Sequence, residues 1–243
     1  MARHRVAKRR VRSGALLLRR VPYGESDLIV TLFTEQEGAV SAAARGALRS
    51  KRRFAGLESM HLLRVEVDLA PQRDIATLVE VRVDRPRVHL LGSLSRLDAA
   101  GQALRWLRRA APARTPEPQL WLEVNALLDA LDSPATALSP GALLGAGGLR
   151  ILEATGWGLD LSRCVRCDEP CPDRAKVTVD VVAGGVVCRR CGGGAVTLSA
   201  ERRARLLAAL DGDERSLEDP ADADVAIELV SGALAAHGQS ESS

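Results

Sequence analysis

Four of the five cysteines fall into two matched pairs, Cys164-Val-Arg-Cys167 and, twenty residues later, Cys188-Arg-Arg-Cys191-Gly192. A C-x-x-C turn aims two thiolates at one point, and two such turns brought together complete the tetrahedron that Zn²⁺ accepts from sulfur. The spacing is that of a zinc ribbon. A closed Cys₄ site leaves no open position for water or substrate, so the chemistry it predicts is structural rather than catalytic. Two disulfides or four unrelated buried thiols are the alternatives. The first needs an oxidising compartment, for which the first residues do not read as an export signal, and the second would not place cysteines in two equal pairs. One structural Zn²⁺ per chain is therefore expected on Cys164, Cys167, Cys188 and Cys191. Cys171 is left over; Cys167-x-x-x-Cys171 is a feasible chelate, but Cys171 is read as lying outside the ligand set.

No catalytic constellation stands beside these cysteines. His4, His61, His89 and His237 are scattered, and none shares a motif with a nucleophile or a helical metal pair. Gly145-Ala146-Gly147-Gly148 lacks the Gly-Lys-Ser/Thr ending of a nucleotide loop and reads as a helix start, so ATP binding is not indicated. The other candidate site is a basic run, Arg45, Arg49, Lys51, Arg52 and Arg53, with further charge in Arg3, Arg5, Lys8, Arg9, Arg10, Arg12, Arg19 and Arg20. Any one of these is most simply a solvated side chain. Together they suit a polyanion, and nucleic acid is the partner they favour. Tyr23, Phe33 and Phe54 are too few to pave a long stacking track, so binding should be directed mostly at phosphates. Phe54, beside the basic run, is the best stacking candidate, with a core role the competing reading.

Two kinds of element must position these groups. Ala15 to Val21, Leu28 to Phe33, Ala39 to Ala44, Leu62 to Val67 and Ile75 to Val83 are short apolar or alternating runs. Pro22-Tyr23-Gly24, Glu37-Gly38 and Ala70-Pro71-Gln72 break them with turn residues. Five such strands predict a small barrel of the OB type, with an SH3-like barrel as the alternative. After Asp84-Arg85-Pro86 the period changes. Leu97, Ala100, Leu104 and Leu107 mark an amphipathic helix, Pro112 to Pro118 ends it, and Leu120, Val124, Leu127, Leu128 and Leu131 form a second apolar stripe. Ala142 to Thr155 reads as a third helix stopped by Gly156. The ribbon, about 162–196, interrupts this helical domain, with short strands at Val177 to Val182 and Val186-Val187 joined at Gly184-Gly185. Helices from Ser199 to Leu210 and from Ala221 to Ala236 follow. The expected organisation is α+β: a basic tail over 1–13, a barrel over 14–84, an α-helical domain with its inserted ribbon over 85–237, and a disordered tail over 238–243.

Composition sets the remaining bounds. Forty-six per cent of the 243 residues are apolar, enough for a core, but the longest apolar runs span only a few residues. A bilayer span needs about 20, so none is expected. A cytoplasmic protein is the resulting expectation. Net charge is +3, unevenly spread: residues 1–53 carry 13 Lys or Arg against four carboxylates, and the other 190 carry 21 against 27. The positive field is thus confined to the first quarter of the chain. Arginine's excess over lysine suits phosphate, although codon bias produces the same excess.

The order of these parts resembles that of the bacterial RecO family of recombination mediators. The resemblance runs from about Gly14 to His237. It is carried by Tyr23-Gly24-Glu25, Leu32-Phe33-Thr34-Glu35 with Gly38, Ala44-Arg45-Gly46 and the basic run after it, Leu149-Arg150-Ile151-Leu152-Glu153-Ala154-Thr155-Gly156, Leu159-Asp160-Leu161 leading into the first cysteine pair, and Gly184-Gly185-Val186-Val187-Cys188. It implies an N-terminal OB-fold, a helical C-terminal domain and an embedded zinc ribbon. It also implies binding of single- and double-stranded DNA, annealing of complementary strands, and action with RecR to help RecA replace single-stranded-DNA-binding protein. On the same footing it places DNA contact at Arg45, Arg49, Lys51, Arg52 and Arg53, and zinc at the four paired cysteines. Family members commonly end in a basic extension, whereas Gly238 to Ser243 is polar and carries Glu241; the basic start from Arg3 to Arg12 is the expected compensation. Against a non-enzymatic mediator stand an enzyme acting on nucleic acid, disfavoured by the lack of a carboxylate-and-metal motif, and a zinc-ribbon adaptor or transcription factor without annealing activity.

Overall fold

Alternation of buried and exposed side chains builds five strands in the first part of the chain: β1 (Arg9–Tyr23), β2 (Asp27–Thr34), β3 (Gly38–Ala44), β4 (Leu62–Leu69) and β5 (Ala76–Arg85). The computed structural model describes residues 9–50, 52–70 and 74–238. In it these strands close into a barrel of order β1-β2-β3-β5-β4, with β1 pairing with both β2 and β4 and the parallel contact of Ala42 and Ala43 with Ala76 and Thr77 completing the ring. This is the OB-type arrangement, not the SH3-like alternative. Leu17, Val30, Leu32, Leu63 and Val65 fill its interior, each at most 1% exposed.

β1 begins earlier than the apolar pattern suggests. Arg9, Arg10 and Arg12 are strand residues rather than part of a tail, because Val11 and Ser13 turn inward between them. Their charges are already paired: Arg9 with Glu37, Arg10 with Asp68 at 2.7 Å and Glu66 at 3.0 Å, and Arg12 with Glu66 at 2.8 Å. Exposed pairs of this kind contribute at most about 1 kcal/mol each, but they remove these cations from the field offered to a polyanion. The remainder of the expected basic tail (1–8), Lys51 and the polar end (239–243) lie outside the described residues.

Ala111–Trp121 belongs to the same compact unit as the barrel. The Ala39 N–H donates to Pro112 O at 3.0 Å, and the Arg114 N–H returns a bond to Ala39 O. Gly38 permits this approach: its φ is 63°, and a Cβ there would stand 1.9 Å from Thr115 O. Trp121 packs on Phe33 with ring centroids 5.8 Å apart.

The second unit comprises His89–Ala110 and the described residues from Leu122 onward. Its helices are α1 (Leu94–Ala110), α2 (Pro118–Asp132, whose first turn counts with the barrel), α3 (Pro140–Thr155), α4 (Ala200–Leu210) and α5 (Pro220–His237). None of the described helices is long and apolar enough to cross a membrane. Ser139 caps α3 by accepting from the Ala142 N–H, Pro140 follows at the first position, and Gly156 closes the helix in the left-handed region. The Gly145 to Gly148 cluster lies inside α3, not at its start. A Cβ would stand 2.8 Å from Leu127 at Gly147 and 2.6 Å from Trp106 at Gly148, so these glycines admit neighbouring helices rather than a phosphate.

Asp222, in the first turn of α5, is 2% exposed and accepts from Arg202 Nε at 2.6 Å and from Arg205. Burial pushes its carboxyl up, but the two guanidiniums more than offset this and hold it below the usual range. Such a carboxylate stabilises the fold fully above its unfolded value of about 3.9 and loses that contribution as pH falls through the lower native value. Asp222→Asn should therefore cost on the order of 1–3 kcal/mol at neutral pH, with both arginines still able to reach water. The gap in melting temperature between wild type and variant should shrink below about pH 4; a gap independent of pH would show that the ion triad is not its source.

Candidate metal centre and nucleic-acid interface

The ribbon is a three-stranded sheet, β6 (Val177–Asp180), β7 (Gly185–Val186) and β8 (Val196–Leu198), in the order β7-β6-β8. β8 was not anticipated; three residues give too short a run to separate from a loop. Gly185 makes the close approach that joins sheet and first cysteine turn: at φ 152°, its Cβ would stand 2.3 Å from Asp160 O, and the Val186 N–H donates to that same oxygen at 2.8 Å. Asp160 orders the segment before Cys164 by accepting from the Ser162 and Arg163 N–H groups. The Val165 N–H then donates to Val186 O, and Cys188 follows Val187 directly, so the two cysteine turns meet at one end of the sheet.

Their four sulfurs lie within 4.8 Å of one another, close enough to hold one metal ion. All five cysteines are free, and the Cys167 and Cys188 sulfurs are 3.8 Å apart, far beyond a disulfide's roughly 2.05 Å. Four thiolates at about 2.3 Å from a tetrahedral ion stand about 3.8 Å from each other, so the set fits such an ion. The electrostatics agree. The Cys188 N–H donates to Cys164 Sγ at 3.3 Å and, outweighing burial, lowers that thiol to about 6, whereas the neighbouring Cys167 and Cys188 sulfurs push Cys191 up to about 12. Four sulfurs gathered this closely could all ionise only with a cation among them. Cys171 lies outside the four-sulfur set, and burial raises its thiol.

Arginines that sequence reading did not single out brace this centre. Arg166 donates to Cys191 O at 2.8 Å and pairs with Asp180, tying the two cysteine turns to β6. Arg203, 3% exposed on α4, donates to Pro172 O at 2.7 Å and fastens the ribbon to the helices. The place of Arg166 inside the first cysteine pair was the available signal for its support, but Arg203 is distant in sequence.

Arg45, Arg49, Arg52 and Arg53 are exposed on the segment joining β3 to β4. That segment is held from both sides. Phe54 and Leu57 insert into the barrel core at 5% and 4% exposure, the Val81 N–H donates to Arg53 O, and Asp27 accepts from the Gly46 N–H at 2.8 Å. Phe54 is consequently a core residue and not a free stacking platform; the Arg53 guanidinium stands 5.1 Å from its ring centroid and also donates to Arg45 O. Arg49 is 3.8 Å from Glu25, both side chains wide open to water, which leaves its charge nearly undiminished. Arg45 and Arg52 have no carboxylate partner among the described residues. Arg20 joins the group by donating to Leu57 O.

Two family models cover nearly all of this architecture: recombination protein O N terminal matches residues 9–87, and recombination protein O C terminal matches residues 91–241. The chain belongs to the recombination protein O (RecO) family. Among its relatives is a DNA repair protein RecO of Anaeromyxobacter sp. (strain K), 39% identical over 209 residues, covering 84% of this chain and 80% of the relative. One from Anaeromyxobacter dehalogenans (strain 2CP-1) is 38% identical with the same coverage, and one from Anaeromyxobacter sp. (strain Fw109-5) is 37% identical over 75% of this chain and 70% of its own length. The barrel thus falls within the N-terminal RecO match and the four-sulfur ribbon within the C-terminal one.

Proposed function

We propose that this chain is a non-enzymatic DNA-binding mediator of recombination in DNA repair, acting in the cytoplasm on the nucleoid. It binds single- and double-stranded DNA through Arg45, Arg49, Lys51, Arg52 and Arg53, anneals complementary strands and, with RecR, helps RecA replace single-stranded-DNA-binding protein. The observation that carries this reading is the match to both halves of the RecO family, joined to relatives named as DNA repair proteins. The exposed, weakly paired arginines of the barrel supply a physical means. A positive surface can neutralise two phosphate backbones at once, lowering the repulsion that slows their encounter, while base pairing provides the free energy. No nucleotide is consumed in that scheme. Zn²⁺, held by Cys164, Cys167, Cys188 and Cys191, would act as a structural crosslink of the ribbon.

The test is the annealing rate of complementary oligonucleotides coated with their cognate single-stranded-DNA-binding protein, measured with and without this protein in the absence of nucleotide. Acceleration is expected. An unchanged rate, or an absolute need for ATP, would reject the mediator reading and leave the zinc-ribbon adaptor in its place.

A further inference from the structure

We propose that Tyr23 is a base-stacking residue through which the barrel distinguishes single strands from duplex. The proposal rests on the DNA-binding reading above and adds a contact that only an unpaired base can make. Of the chain's six aromatic residues, Phe33, Phe54, Trp106 and Trp121 are buried and Trp157 is half-buried. Tyr23 alone is exposed, at 65%. It ends β1 in the last pair of the β1–β2 ladder, opposite Asp27, immediately before the Gly24-Glu25-Ser26 turn.

The ring stands at the exposed end of β1, where Arg19 to Tyr23 all reach solvent. Residues opposite one another in an antiparallel pair share a face. After the register shift between Leu17 and Arg19, Arg20 lies opposite the buried Val30 and Pro22 opposite the buried Leu28, but this end of β1 overhangs the core and Arg20 and Pro22 are exposed as well. Arg19, Val21 and Tyr23 occupy the other face, two residues apart and all exposed. An aromatic ring, an aliphatic side chain and a guanidinium thus follow one another along the strand.

The turn after Tyr23 is fastened to the basic segment. The Leu48 N–H donates to Ser26 O at 3.0 Å, and Asp27 accepts from the Gly46 N–H, bringing the hairpin tip against residues 46–48 between Arg45 and Arg49. Glu25, also at the tip, is 94% exposed and pairs loosely with Arg49 at 3.8 Å. A stacking platform beside cations that track the backbone is the arrangement by which proteins hold single strands with little sequence preference. In OB barrels the loop between the first two strands is a customary place for such contacts. Duplex offers the same phosphates but keeps its base faces stacked internally, so the arginines should serve both ligands and the ring only one.

The experiment measures binding of the full-length, metal-loaded protein to a labelled oligothymidylate and to a labelled duplex of equal length, across a salt series. Tyr23→Ala should weaken oligothymidylate binding by about 5- to 150-fold while leaving duplex affinity and the salt slope near wild type. Tyr23→Trp should retain single-strand binding. Unchanged oligothymidylate affinity in Tyr23→Ala would overturn the proposal, as would an equal loss on both ligands, which would make Tyr23 a support for the loop. Normal binding to both DNAs with a defect only when single-stranded-DNA-binding protein is present would assign the tip to a protein partner and likewise overturn it. A variant carrying Arg45→Ala, Arg49→Ala and Arg52→Ala separates this outcome from failure of the underlying reading: its retention of both affinities would reject the basic segment as a DNA site, whatever Tyr23 does.

Discussion

Cys188→Ser should yield a protein without bound metal and with its ribbon unfolded. The four sulfurs converge from two turns that have little else to hold them: β7 has two residues, β8 three, and the cysteine turns contribute only Cys164 as a fully buried side chain. A structural Zn²⁺ in such a site binds with about 10–16 kcal/mol, and that binding is folding free energy because the ligand set does not exist in the unfolded chain. This equals or exceeds the roughly 5–15 kcal/mol by which a whole domain is stable. The damage should extend to α4, since Arg203 would lose the ribbon carbonyls of Cys171 and Pro172 that it reaches from a buried position. Cys191→Ser should behave alike, whereas Cys171→Ser should keep one Zn²⁺ per chain. Metal content of the purified variants, read beside their circular dichroism, decides the matter. Zinc-free wild-type protein, or zinc lost from the Cys171 variant, would overturn the ligand assignment.

The reasons why some parts were legible in the sequence and others were not are physical. Metal-ligand spacing is local information: two C-x-x-C turns must each bring their thiols together whatever the surrounding fold, and the sulfurs do meet. The alternation in β4 is similarly self-contained, with Leu63, Val65 and Val67 inward and Arg64 outward. The start of β1 was hidden because Arg10 and Arg12 look like a charged tail until Asp68 and Glu66 arrive opposite them from a strand more than fifty residues away. Gly147 and Gly148 likewise have no meaning in isolation; they are small because Leu127 and Trp106 occupy the space their side chains would need. At the barrel, composition identified a basic run but not which of its members are available. Arg53 is engaged with Arg45 O and the Phe54 ring, Arg9, Arg10 and Arg12 are paired, and Phe54 itself is core. Each distinction depends on tertiary neighbours.

Those distinctions define the charge-removal experiment. Arg45→Ala, Arg49→Ala and Arg52→Ala together should weaken single-strand binding on the order of 100-fold at 0.1 M salt, with folding stability changed by no more than about 1 kcal/mol. The magnitude follows from counterion release: each phosphate neutralised on a single strand contributes about 0.7 to the slope of log affinity against log salt, so three lost contacts remove about two units of slope and, at 0.1 M, about two decades of affinity. Arg53 is left in place because its bonds to the loop and its position over Phe54 would confound lost charge with lost structure. Arg10→Ala with Arg12→Ala is the matched control: it also removes cations from the barrel surface, but ones already neutralised by Asp68 and Glu66, and should leave the slope nearly unchanged. Equal losses from both variants would mean that the protein responds only to net charge. Wild-type affinity and slope in the triple variant would place the DNA site elsewhere on the molecule.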